Sequence, residues 1–148
     1  MELKNLFDPA VKEEIIIRIN NLRPATQRKW GKMDVAQMLA HLQAPLGVPM
    51  GKHPLKGNAF FRLFAPLIKK QLYNDKPFRR NLPTDKTFKI AGQREFEKEK
   101  QQLIALVNCF TEENVTNDVH PLFGKMTLQQ WSHSNWKHLD HHLQQFGV

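Results

Sequence analysis

The chain has 148 residues, with 22 Lys or Arg against 14 Asp or Glu, a formal net charge of +8, and 41% of its residues are apolar. Those figures describe one folded domain and exclude a disordered chain, and no apolar run approaches the roughly 20 residues that span a bilayer. The single Cys excludes an internal disulfide framework and a multi-cysteine metal site.

The first predicted helix opens at Asp8-Pro9, a capping residue followed by a proline suited to the first helical position. Val11, Ile15, Ile19 and Leu22 then recur at helical spacing, and Arg23-Pro24 closes the segment. A second helix is expected from about Asp34 to Leu46, with Val35, Met38, Leu39, Leu42 and Leu46 on its apolar face and His41 beside that face. Pro45 and Pro49 weaken its last turns.

Residues 51–92 differ in kind. They carry Pro54, Pro66, Pro77 and Pro83 and accommodate one short helix, about Asn58 to Tyr73. Its apolar positions are Phe60, Phe61, Leu63, Phe64, Leu67, Ile68 and Leu72, and Pro66 is expected to kink or interrupt it. From Asn74 to Gly92 the pattern is extended loop, and the alternation at Thr87–Ile90 is too short to argue a sheet.

A third long helix follows from Gln93 to about Phe110, with Phe96, Leu103, Leu106, Val107 and Phe110 as its stripe. After a connector containing His120-Pro121 and Phe123-Gly124, Thr127 and Gln130 form a capping-box signature for a last helix reaching about Phe146, with Gly147 beyond its end. Four long amphipathic helices, one insertion and no credible sheet predict an all-α, single-domain bundle over 1–148. The connection between the second and third long helices is long enough to cross over the bundle.

The charge is localised. Between Lys52 and Arg94 stand 11 Lys or Arg against Asp75 and Asp85, whereas the rest of the chain is nearly neutral. A basic stripe suits nucleic acid, an anionic membrane surface or an acidic partner, and equally a solvated face around apolar residues packed on the bundle or in a homodimer interface. Phe60, Phe61, Phe64, Tyr73 and Phe78 are the aromatics available for base stacking, and Arg79 and Arg80 are placed to attract an anionic thiol or carboxylate.

Four of the seven His fall between Ser132 and Gln144. His138 and His142, four apart, lie about 40° from each other on a helical wheel and can converge on one divalent ion, with His41 as the third candidate ligand. The same spacing serves ordinary packing, with hydrogen bonds from Asp140 or Gln145. His141 falls on the outer side of the helix, His133 is expected to be exposed, and Asp140 points away as an exposed carboxylate. His120 reads as a turn-fixing residue, Cys109 as a structural thiol, and Trp131 and Trp136 as core, with Trp131 on the His face and so able to wall a pocket.

The segment Trp131-x6-His138-x-x-His141-His142-x-x-Gln145 resembles the last helix of the DinB/YfiT-like metal-binding four-helix bundles. Trp30 to Leu42 is similar to their second-helix motif. An uncharacterised DinB-like subfamily shares the approach His120-Pro-x-Phe-Gly-x-x-Thr-x-x-x-Trp131 and the ending Lys137-His-x-Asp-His-His-x-x-Gln-Phe-Gly147. The resemblance implies a bundle with a long crossover and a three-His site at His41, His138 and His142 for zinc or nickel. It further implies thiol S-transfer or hydrolysis through an open coordination position, with any low-molecular-weight thiol supplied as a cosubstrate. Three readings follow. The first is a metal-dependent transferase or hydrolase of unknown catalytic residues, and the second a non-enzymatic basic module using 52–94. The third is a helical interaction domain with a structural His cluster. With no apolar core or cleavage site near Met1, the expected location is cytoplasmic.

Overall fold

The computed structural model describes residues 1–54, 59–81 and 88–148, with backbone only for 59–62 and 64. The chain is mostly helical. Its elements are α1 (Pro9–Asn21), α2 (Val35–Gly47), α3 (Ala59–Leu72), α4 (Phe96–Cys109) and α5 (Leu128–Gln145), with β1 (Val119–His120) and β2 (Gly124–Lys125) between the last two helices.

Local chemistry explains the helix ends. Asp8 accepts from the Ala10 N–H and Pro9 occupies the first turn of α1. Asp34 and Gln37 form a reciprocal capping box on α2, and Thr127 and Gln130 form another on α5. Gly147, with φ of 82°, lies beyond the α5 C-terminus, where the left-handed conformation lets the chain leave the helix. The third long helix starts at Phe96 rather than Gln93. Gly92 is also left-handed, its carbonyl accepts from Gln37 Nε2, and Glu95 caps without a side-chain bond, so residues 93–95 stay extended.

Four helices pack in a ring: α1 on α4, α4 on α2, α2 on α5, and α5 back on α1. Ile15 and Ile19 of α1, Met38, Leu39 and Leu42 of α2, Leu103 and Val107 of α4, and Leu139 and Leu143 of α5 fill its centre. Each such side chain contributes about 1.5–3 kcal/mol when fully removed from water. α2 is buried on nearly every side; besides its helical neighbours it meets the segment before α4, where the carbonyls of Phe88 and Gly92 bond His41 and Gln37. Phe7 and Phe110 stack at 5.1 Å between centroids beside this core.

The crossover helix α3 packs on α5 and runs unbroken through Pro66. Pro66 is exposed, and the expected interruption does not occur. The Asn58 start and Pro83 lie outside the described residues, as do the side chains of Phe60, Phe61 and Phe64. Lys137, 1% exposed, fastens the crossover to α5: its ammonium donates to the carbonyls of Gln71 and Asn74 and to Asn74 Oδ1. Nothing in the local sequence pattern singled out this lysine.

One expectation is corrected here. A small antiparallel ribbon does form, with Val119 paired to Lys125 and His120 to Gly124. Strands of two residues are too short to leave a periodic signal. His120, as expected, fixes the turn within it: its buried Nδ1 accepts from the Leu122 and Phe123 N–H groups, and its ring stacks on Trp131.

Candidate metal centre

The α2–α5 contact carries the site. His41 sits in the second turn of α2, beside the apolar positions Met38 and Leu42, and is 4% exposed. His138 and His142 occupy successive turns of α5 and are half-buried. Packing α2 on α5 brings the three rings together almost symmetrically. Centroids lie 4.9 Å apart for His41 and His138, 4.7 Å for His41 and His142, and 4.7 Å for His138 and His142, each pair edge to face. One ring nitrogen from each residue lies within 4.8 Å of the other two.

The outer nitrogens are held. His41 Nδ1 lies 2.8 Å from the Phe88 carbonyl and His142 Nδ1 lies 2.7 Å from Gln145 Oε1. Carbonyl oxygens only accept, so both Nδ1 atoms carry the proton, and both Nε2 lone pairs remain for the centre. Gln145 is itself oriented: its Nε2 donates to the Trp30 carbonyl, and the Lys29 N–H donates to its backbone carbonyl. Gly31, with φ of 83°, makes room for this. A Cβ there would stand 2.3 Å from Gln145 Nε2.

Two Nε2 atoms, of His41 and His138, face each other at 3.1 Å. With His41 Nε2 unprotonated, the contact is satisfied by a proton on His138 Nε2 or by a cation that both lone pairs share. Metal–nitrogen bonds of roughly 2.0–2.1 Å place two ligand nitrogens about 2.9–3.4 Å apart across octahedral or tetrahedral angles. The residues present therefore fit a divalent ion.

Electrostatics favour the ligand form. Burial, and then the neighbouring imidazoles, hold His138 well below the ordinary histidine range. Burial lowers His41 against the raising effect of its Phe88 bond. His142 is lowered to about 3, chiefly by burial and then by His41. All three are neutral imidazoles near neutral pH, which is the state that binds metal.

The surroundings correct two expectations, for Asp140 and His133, and add a finding about His141. Asp140 does point away from the triad, but it is buried, paired with Arg18 at 2.9 Å and bonded to Gln144, because α1 covers that side of α5. His133 is half-buried rather than exposed. His141, although on the outer side of α5, lies under Trp30 and Phe78 with its ring 5.1 Å from that of His142. The Arg80 guanidinium lies over the Trp30 ring at 4.3 Å from its centroid, and Arg79 is exposed.

The candidate group itself contains no Asp, Glu or Cys among the described residues. Cys109, half-buried on α4, is outside it. A cavity of about 440 Å³ opens at the N-terminal end of α5, lined by Val115, Met126, Leu128 and Trp131 among others, and none of the three histidines borders it. Trp131 therefore walls that cavity instead of the histidine centre. Sequence reasoning had found the three histidines. It missed Phe88, whose role is played by a backbone carbonyl and leaves no side-chain signature. Of the two hydrogen-bond partners expected for these histidines, Asp140 and Gln145, it is Gln145 that bonds one of them, His142.

A family model described as "Protein of unknown function (DUF1569)" matches residues 4–147. No curated protein matches the chain, and no solved structure does.

Proposed function

We propose that this chain, which belongs to the DUF1569 family of proteins of unknown function, binds a divalent metal ion through His41, His138 and His142. The carrying observation is the convergence of three neutral imidazoles whose outer nitrogens at His41 and His142 are occupied by Phe88 and Gln145. Zinc and nickel are among the metals that suit an all-imidazole donor set, and three protein ligands leave coordination open. The ring of α1, α4, α2 and α5, joined by the long crossover, supports reading the architecture as a DinB-like four-helix bundle.

A metal in this position supplies Lewis acidity toward bound water or a thiol, the chemistry of hydrolysis or thiol S-transfer. The chain's own residues bind and orient. His41 and His142 present fixed Nε2 lone pairs, His138 closes the triad, and Trp30 and Phe78 shield the His141 side from water. With Cys109 outside the group, a reacting thiol enters as a low-molecular-weight cosubstrate.

The test is metal analysis of protein purified without a histidine tag and reloaded with zinc or nickel. About one equivalent per chain is expected, retained by His133→Ala and lost by His138→Ala. Less than a tenth of an equivalent after reloading overturns the proposal.

A further inference from the structure

Independently of the histidine centre, α3 raises two large apolar side chains into water. Its buried Ala65 faces the body of the protein, while Leu63 and Leu67, one turn apart, are 74% and 75% exposed. Pro66 and Lys70 are exposed along the same stripe, at spacings of three and seven residues from Leu63. Two large apolar side chains raised on one convex helix face lose free energy in water and need a cover.

The charge around them says what kind. α3 contains Arg62, Lys69 and Lys70 and no acidic residue. The segment from 52 to 94 as a whole carries 11 basic groups against Asp75 and Asp85. Exposed Lys76 and Arg79 follow the helix, and the Lys69 ammonium ties it to the Lys125 carbonyl of the hairpin, where the exposed Lys125 adds a cation partly offset by Asp118. A second copy would bring the same positive face against this one, so like charges oppose self-association through α3. A ridge of apolar side chains flanked by Lys and Arg fits a deformable anionic layer, with the leucines entering the acyl boundary and the cations resting among headgroup phosphates.

We propose that α3 is a membrane-surface docking element that seats the protein reversibly on bilayers rich in anionic lipid. The full-length protein is mixed at low salt with vesicles of phosphatidylglycerol and phosphatidylcholine, or of phosphatidylcholine alone, and sedimented. Binding to the anionic vesicles only is expected, weakened at least tenfold by 0.5 M salt and at least tenfold by Leu63→Ser with Leu67→Ser. Both positions are exposed, so the double variant should fold; its helical circular dichroism checks this. A variant that unfolds is replaced by Leu63→Gln with Leu67→Gln, read on the same vesicles. No binding to anionic vesicles overturns the proposal, and so does binding indifferent to the leucines, which would be charge attraction alone. Leucine-dependent dimerisation without vesicle binding also overturns it and assigns the ridge to a second copy.

Discussion

The Nε2 atoms of His41 and His138 stand 3.1 Å apart, although 97 residues separate them in the chain. The contact joins α2 to α5 through one buried and one half-buried imidazole, whose facing nitrogens have no other hydrogen-bond partner among the described residues. Whatever occupies the space between their lone pairs therefore also ties the two helices together.

Metal binding should accordingly stabilise the fold. At a free concentration 100 times the dissociation constant, a ligand specific for the folded state adds about 2.7 kcal/mol. For a domain of this size that raises the melting temperature by roughly 5–10 °C. Zinc or nickel should produce this shift in a thermal melt, and His138→Ala should remove it; a wild-type melt indifferent to both metals speaks against the site.

Gln145 should tune affinity without being a ligand. Gln145→Leu removes the acceptor for His142 Nδ1 and the tie to Trp30, and is expected to weaken metal binding by about 10–100-fold. Gly31→Ala should act in the same direction, since its Cβ displaces the Gln145 amide and its φ of 83° strains any other residue. Competition with a chelating dye measures both. Unchanged affinity in Gln145→Leu would show that the relay does nothing for the metal.

Asp140 provides the contrast. Its pairing with Arg18 is structural and lies on the side of α5 away from the histidines. Asp140→Asn should cost roughly 3 kcal/mol in urea unfolding, the low end for a broken buried pair, because Arg18 keeps carbonyl acceptors at Asp140 and Val148. Metal affinity of the folded variant should stay within about threefold of wild type, a margin of about 0.7 kcal/mol.

His120 should make stability fall in acid. Burial, and then Lys69, lower its pKa to about 4 in the folded protein, against an unfolded value of about 6.5. Between those values the unfolded chain takes up the proton and the folded chain does not, so stability is lost as pH falls from about 6.5 to 4. The loss is up to about 3 kcal/mol and levels off below. In chelator, His120→Asn keeps an acceptor for the turn but removes the titration, so its urea midpoint should depend less on pH across that window. Parallel profiles for the two proteins would refute the assignment.

The sequence was most legible where structure is local. Asp34 with Gln37 and Thr127 with Gln130 announce two helix starts, because a cap needs only a side chain and a backbone N–H three residues away. The C-terminal end of α3 was placed within one residue, at Tyr73 against Leu72, although Pro66 was expected to kink or interrupt the helix. The hairpin at 119–125 was missed because two-residue strands have no periodicity, and the start of α4 was misplaced because the Gln37 bond to Gly92 is a tertiary contact.

By itself, then, the sequence determined the helices, the crossover, the localised charge and the shared face of His138 and His142, all consequences of a repeat of about 3.6 residues and of side chains acting within a turn. Only the tertiary structure decided that α2 lies against α5. That packing set the His41 distance, whereas α1 against α5 hid Asp140 behind Arg18, α3 against α5 drew Lys137 onto the end of α3, and bonds from Phe88 and Trp30 completed the surroundings of the triad. Distances between segments far apart in the chain follow from which apolar faces are buried together. A one-dimensional pattern shows that each face exists but not which other face it meets.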